Sequence, residues 1–238
     1  MGSQSILLLI SVLAFQAEPP PDLIQQVARR EAATEAARNQ YLYRQSVTIE
    51  EYDTRGNALG NYREAREVIF TPAGERMEQF SEKPTSRLQR LILTDEDFQD
   101  IRNIQPLLLT PDMLPRYFIK FRGDERIDGV ECWVLDIQPR QILQGMRLFE
   151  GLAWVEKQSL AVIRTHGHAV PPIYSNGREN LFPRFTTLRA KVDEHYFPVR
   201  TYADDILPFK NGPLRMKFNI RYTGYRRFGA ESRITFEK

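Results

Sequence analysis

The residues of this chain whose types and spacing could do chemistry are its three histidines, its one cysteine and a few neighbouring carboxylates. His166-Gly-His168 sets two imidazoles on one face of a strand, a spacing that zinc enzymes use. A zinc site also needs a third ligand and a group that orients the histidines. His195 is remote in sequence, and no motif ties Asp136 or Glu156 to the pair, so no metal is expected. Cys132 lies in Val130-Glu-Cys-Trp-Val-Leu with no cation or histidine beside it, which describes a buried, inert thiol rather than a nucleophile. Asp95 and Asp97 belong to Thr94-Asp-Glu-Asp97, a capping box ahead of Phe98 and Ile101. Asp204-Asp205 fits a turn before Pro208. No Gly-x-Ser-x-Gly, His-Glu-x-x-His or phosphate-cradling glycine run occurs. No catalytic residue and no cofactor is therefore assigned, and a hydrolase acting on a hydrophobic substrate is the alternative reading.

The elements that would position these residues change character along the chain. Leu23 to Arg38 is dense in Ala, Glu, Gln and Arg without Gly or Pro, which predicts a helix. Leu23, Ile24, Val27 and Ala28 give it a narrow apolar stripe, so it should lie against something larger. From Tyr41 the period becomes two. Tyr41 to Glu50 turns at Asp53-Thr-Arg-Gly56 into Tyr62 to Phe70, and a third strand is expected over Arg76 to Phe80. Pro84-Thr-Ser86 then opens two short helical segments, one with Leu88, Leu91 and Ile92 and one after Thr94. Strands resume at Tyr117 to Arg122, turn at Gly123 to Gly129, and return as Val130 to Gln138. Further strands are expected over Arg147 to Val155, Ala161 to His166, Phe182 to Val192, Tyr196 to Tyr202, Leu214 to Tyr225 and Ser232 to Phe236. Along Leu214 to Tyr222 the apolar Leu214, Met216, Phe218, Ile220 and Tyr222 alternate with Arg215, Lys217, Asn219 and Arg221. One face of that strand is wet and the other is not. The fold class is α+β, with one large antiparallel sheet of about ten or eleven strands. A sheet of that size curls rather than staying flat, although a sandwich of facing sheets fits the same order.

Composition bounds the rest. Lys plus Arg is 33 against Asp plus Glu at 31, a formal charge of +2 with both signs spread along the chain, so no nucleic-acid footprint is present. Ile6 to Phe15 is apolar except for Ser11 and ends at Ala14-Phe-Gln-Ala17 before Pro19 to Pro21. That pattern predicts a removable secretory signal over residues 1–17 and one domain over 18–238. The run is shorter than the roughly 20 residues of a spanning helix, and no transmembrane segment is expected in the mature chain. A periplasmic or secreted location follows. One cysteine cannot form an intrachain disulfide, so such an exported chain must be held by packing.

The stretch Phe149-Glu-Gly-Leu-Ala-Trp-Val-Glu-Lys-Gln-Ser-Leu-Ala-Val-Ile-Arg164, taken with the N-terminal helix, the tyrosine-rich first hairpin and Leu93-Thr-Asp-Glu-Asp97, resembles the LolA/LolB-like outer-membrane lipoprotein-sorting superfamily. The resemblance covers nearly all of the chain after residue 17, and the Gly151 to Trp154 element is its most specific part. It implies a curved, incomplete barrel with the N-terminal helix and short mid-chain helices covering its concave face. It also implies an apolar cavity for acyl chains of lipids or lipoproteins, and envelope proteins that load or receive the cargo. The same superfamily includes lipid-sensing regulators of envelope stress, which carry a second small domain. On that reading Tyr43, Phe70, Tyr117, Phe121, Trp154, Met216, Phe218 and Tyr222 are the candidate ligand-binding residues. They offer large apolar area with little hydrogen-bonding demand, as an acyl-chain pocket needs. Taken singly, each is as well explained as ordinary core.

Overall fold

The structure, a computed structural model, describes residues 18–71, 73–103, 107–142, 147–175 and 178–228. The apolar run Ile6 to Phe15 and the expected strand Ser232 to Phe236 lie outside the described residues. Helix α1 is Leu23–Arg38, the expected span. Its stripe buries Leu23, Val27 and Ala28, and Glu31 and Thr34 are buried with them.

Three antiparallel strands follow: β1 (Tyr41–Tyr52), β2 (Ala58–Phe70) and β3 (Arg76–Ser86). The first turn closes because the Asp53 carboxylate accepts the backbone N–H of Arg55 and of Asn57, each at 2.8 Å. Pro84 to Ser86 finish β3 rather than opening a helix, and residues 87–94 contain no helical turn. One mid-chain α-helix is formed among the described residues, α2 (Asp95–Asn103), followed by a 3-10 turn at Leu114–Arg116. Thr94 starts α2 as expected, with its backbone N–H on Asp97 Oδ2 at 2.8 Å.

The remaining strands are β4 (Tyr117–Ile127), β5 (Val130–Pro139), β6 (Leu148–Glu156), β7 (Val162–Val170), β8 (Ile173–Ser175), β9 (Arg178–Asn180), β10 (Phe185–Val192), β11 (His195–Leu207) and β12 (Leu214–Arg227). Strand β4 outruns its expected end at Arg122 because a register shift between Phe121 and Gly123 absorbs a residue without breaking the ladder. The turn then tightens to Asp128-Gly129, both with positive φ, the geometry that an Asp-Gly hairpin supplies.

Ten strands form one sheet in the order β3-β2-β1-β12-β11-β10-β7-β6-β5-β4, and β8 and β9 form a separate hairpin. Every pairing in the large sheet is antiparallel, and β1 lies against β12 from Tyr41↔Arg227 to Tyr52↔Arg215. The sheet is open, with β3 and β4 at its two edges. One apolar cluster runs from Tyr62 and Val68 on β2 to Tyr117 on β4 and takes in Leu23 and Val27 of α1 and Ile101 of α2. The sheet thus wraps around its helices, and its inner face is a continuous core.

That core contains buried charge. Arg189 on β10 and Glu31 on α1, each 1% exposed, meet at 2.9 Å. Arg189 also donates to the carbonyl of Leu107. Arg147 pairs with Asp100 of α2 and donates to the Asn180 side chain at 2.7 Å. Among the described residues no helix is long and apolar enough to cross a membrane.

Candidate ligand cavity

A cavity of about 310 Å³ lies between the inner face of the sheet and its cover. Val47 and Ile49 of β1 and Met216, Phe218 and Ile220 of β12 form the floor. Residues 90–94 with Asp97 and Ile101 of α2 form the roof, and residues 179–183 and 209–211 form the side wall. The floor follows from strand alternation, since every second residue of β1 and β12 faces the core.

The roof depends on a contact far along the chain. Glu51, fully buried on β1, accepts the backbone N–H of Gln89, of Arg90 at 3.1 Å and of Leu91 at 2.9 Å. Three successive N–H groups turned toward one carboxylate cannot enter a helical ladder. The segment with Leu88, Leu91 and Ile92 is irregular, bends at Gln89 and Arg90, and brings Leu91 and Ile92 to the cavity. Gly60 permits the approach, because a Cβ there would stand 2.2 Å from the Arg87 carbonyl oxygen.

The roof and the side wall are tied by polar bonds. Asn180 donates to Thr94 Oγ1 at 2.8 Å, while Arg147 holds Asn180 and Asp100 together. Burial pushes the Asp100 carboxyl up to about 6, with Arg147 opposing the shift and the Asp97 and Glu96 charges adding to it. Asp97 at the roof is also raised, again chiefly by burial.

A second cavity of about 680 Å³ lies beside the ends of α1 and α2. Leu148, Met113 and Tyr117 share its wall with Glu35, Asp95, Asp112, Arg38 and other charged groups. It is the more polar of the two.

The residues singled out from the sequence do not gather in one place. Met216 and Phe218 are on the floor of the first cavity, and Tyr117 is on the wall of the second. Tyr43 and Tyr222 pack on each other and Tyr43 on Tyr225, inside the core near β1 and β12. Burial raises the Tyr222 hydroxyl to about 12. Phe70 lies under the Arg38 guanidinium, 5.2 Å from its ring centroid. Phe121 is 42% exposed at the sheet's edge, edge-on to Trp133. Trp154 is on the opposite face of the sheet from the cavity, in a small cluster with Cys132 and Val134. Its indole N–H donates to Glu125 Oε2 at 2.7 Å.

Several cavity residues lacked a signal of their own in the sequence. Leu93 and Phe209 sit in irregular segments without a period, while the spacing predicts a helix at Leu91 and Ile92 and the start of a strand at Phe182, and none of the three is in a helix or a strand. The available hint was large apolar side chains in segments bounded by proline, as at Phe182-Pro183 and Pro208-Phe209.

The chemistry-capable residues lie elsewhere. His166 and His168 are on β7, on the outer face with Trp154, where His166 Nδ1 is 2.9 Å from Thr186 Oγ1. Burial lowers both imidazoles, as do the nearby Arg164 and Arg184 charges for His166. Burial pushes the Cys132 thiol up to about 11, and Glu156 adds to this. Among the described residues no three of His, Cys, Asp and Glu come together as a metal-binding group.

A solved structure of a DUF1329 family protein from Desulfovibrio piger is similar over 90% of this chain and 96% of that one, with a TM-score of 0.50 and 14% identity. The two share a fold. A LolA superfamily protein from Nitrosomonas europaea matches over 87% of this chain and 94% of that one, at TM-score 0.39 and 14% identity. A provisionally named outer membrane lipoprotein-sorting protein domain from Vibrio parahaemolyticus matches over 87% and 93%, at TM-score 0.39 and 10% identity. No family model matches the sequence, and no curated protein matches it either.

Proposed function

We propose that the chain binds a hydrophobic ligand, an acyl chain of a lipid or of a lipoprotein, in the 310 Å³ cavity, and serves the cell envelope as a carrier or binding protein. On this reading residues 1–17 are a signal peptide, residues 18–238 are one LolA/LolB-like half-barrel, and the protein works in the periplasm or outside the cell. Envelope proteins would load or receive the cargo. The observation that carries the proposal is the cavity itself: an aliphatic and aromatic floor of Val47, Ile49, Met216, Phe218 and Ile220 under a roof that supplies Leu91 and Leu93. Pockets of roughly 300 to 1,000 Å³ lined in this way hold small ligands by area and shape.

The test is titration of the protein with 1-N-phenylnaphthylamine followed by displacement with a fatty acid. Saturable binding near one equivalent, reversed by the fatty acid, is expected. Ile92, 63% exposed on the cavity wall, provides the variant: Ile92→Asp should weaken the probe about tenfold while leaving the melting temperature within a degree or two. Weak, non-saturating fluorescence, or equal affinity in the Ile92→Asp protein, would exclude this cavity as the site.

A further inference from the structure

The outer face of the sheet carries a band from which carboxylates are missing. Register partners set Arg164 of β7, Leu188 of β10, Arg200 of β11, Arg221 of β12 and Ser46 of β1 in one row across the strands. The next row along is Thr186, Tyr202, Asn219, Thr48 and Arg63, running from β10 to β2. Arg200 and Arg221 directly oppose each other on adjacent strands and both are exposed. Like charges so placed are destabilising. Among the described residues none of Arg63, Arg164, Arg200 and Arg221 forms an ion pair, whereas Arg215 and Lys217 share Asp204 and Arg44 meets Glu82. Arg200 instead leans toward the next row, with its Nε on Asn219 Oδ1 at 2.7 Å and its guanidinium 4.8 Å from the Tyr202 ring centroid. Arg164 lies 5.0 Å over the Trp154 ring.

We infer that this band is a docking strip for an acidic, extended segment of a partner protein, lying across the strands on the face opposite the ligand cavity. The shape of the charge selects that partner. From β7 to β2 the rows cross five strand spacings, about 24 Å, which is the length of roughly seven extended residues. Carboxylates border the strip on both long sides, with Asp204 and Glu50 along one and Glu67 along the other. A broad anionic surface such as a bilayer would meet those carboxylates as well as the arginines. A single chain of acidic residues meets the arginines alone, and its carboxylates can take paired N–H donors from each guanidinium. The hydroxyl and amide groups of Thr48, Tyr202 and Asn219 offer further hydrogen bonds along the same line.

Fluorescein-labelled hepta-glutamate, followed by anisotropy against the full chain at low salt, tests the strip. Saturable binding that weakens with salt is expected. The double variant Arg200→Gln/Arg221→Gln should lose about tenfold or more in affinity, since charge-assisted hydrogen bonds are the strong ones, while Arg55→Gln in the distant β1–β2 turn should bind as the parent does. The Arg200→Gln/Arg221→Gln protein should melt no lower than the parent and should keep its affinity for 1-N-phenylnaphthylamine, which separates failure of the strip from failure of the cavity. Unchanged peptide affinity in that variant overturns the inference, as does absence of binding to the parent. Arginine-dependent binding to phosphatidylglycerol vesicles that hepta-glutamate does not displace would also overturn it, in favour of a membrane surface.

Discussion

The two faces of the ten-stranded sheet are built from the same strands and have opposite habits with charge. On the inner face charged groups are buried and matched, as in Glu31 with Arg189 and Asp100 with Arg147. On the outer face the cations along one row are exposed and unmatched, as in Arg200 against Arg221. The difference teaches where partners come from. A charge buried in a core must find its counter-ion within the fold, because leaving it alone costs several kcal/mol. An exposed charge has water as a partner, so its counter-ion can be supplied by another molecule.

The strongest way to break this comparison is to remove one half of a buried pair. Arg189→Leu strands the Glu31 carboxylate under α1 and should cost about 3–5 kcal/mol in urea unfolding. Adding Glu31→Leu should restore most of that loss, because two apolar residues no longer need each other. If the double variant is as unstable as the single one, packing rather than charge pairing governs the contact between α1 and β10.

Trp154→Ala separates the faces by ligand rather than by charge. Trp154 is 6% exposed within the small outer cluster, so truncation should cost about 3 kcal/mol. Affinity for the apolar probe should not change, since the indole is on the far side of the sheet from the cavity. A weakened probe with intact stability would move the binding surface to the outer face.

Acid sharpens the comparison further. Burial pushes the Glu78 carboxyl up, but Arg102, Arg76 and Arg66 outweigh it and hold the group at about 2 rather than 4.5. A value depressed by folding means stability present above about pH 4.5 and lost as pH falls through 2. Glu78→Gln should therefore flatten the acid side of the stability profile by roughly 2 kcal/mol, after allowance for partial exposure. A profile of unchanged slope between pH 4.5 and 2 would contradict the assignment.

The smallest effect belongs to the outer row, where Arg221→Gln should raise stability by about 0.2–1 kcal/mol by relieving Arg200. A loss instead would show that Arg221 has a structural partner.

Much of this arrangement could be read in the sequence, and the reasons for the exceptions are physical. Leu23–Arg38 and the alternation of Leu214 to Tyr222 depend on near neighbours, and both appear as expected. The segment after Ser86 looked helical because Leu88, Leu91 and Ile92 carry that spacing. It is irregular, and Glu51, nearly forty residues earlier, holds its N–H groups. Local pattern has no access to such a contact. The same holds for Glu31 and Arg189, 158 residues apart. Of the candidate site, alternation placed Met216 and Phe218 correctly on the inward face. It could not say that Trp154, also flanked by apolar neighbours, faces the other way, because β6 has apolar residues on both sides.

The unjoined edges β3 and β4 have a mechanical consequence. In a closed ring of strands, widening the interior means breaking a ladder of backbone hydrogen bonds. Here the sheet ends at two free rims, so its curvature can open or tighten by small changes of twist spread over many strands while every ladder stays whole. The space between the sheet and its cover can therefore widen or narrow at the cost of bending alone.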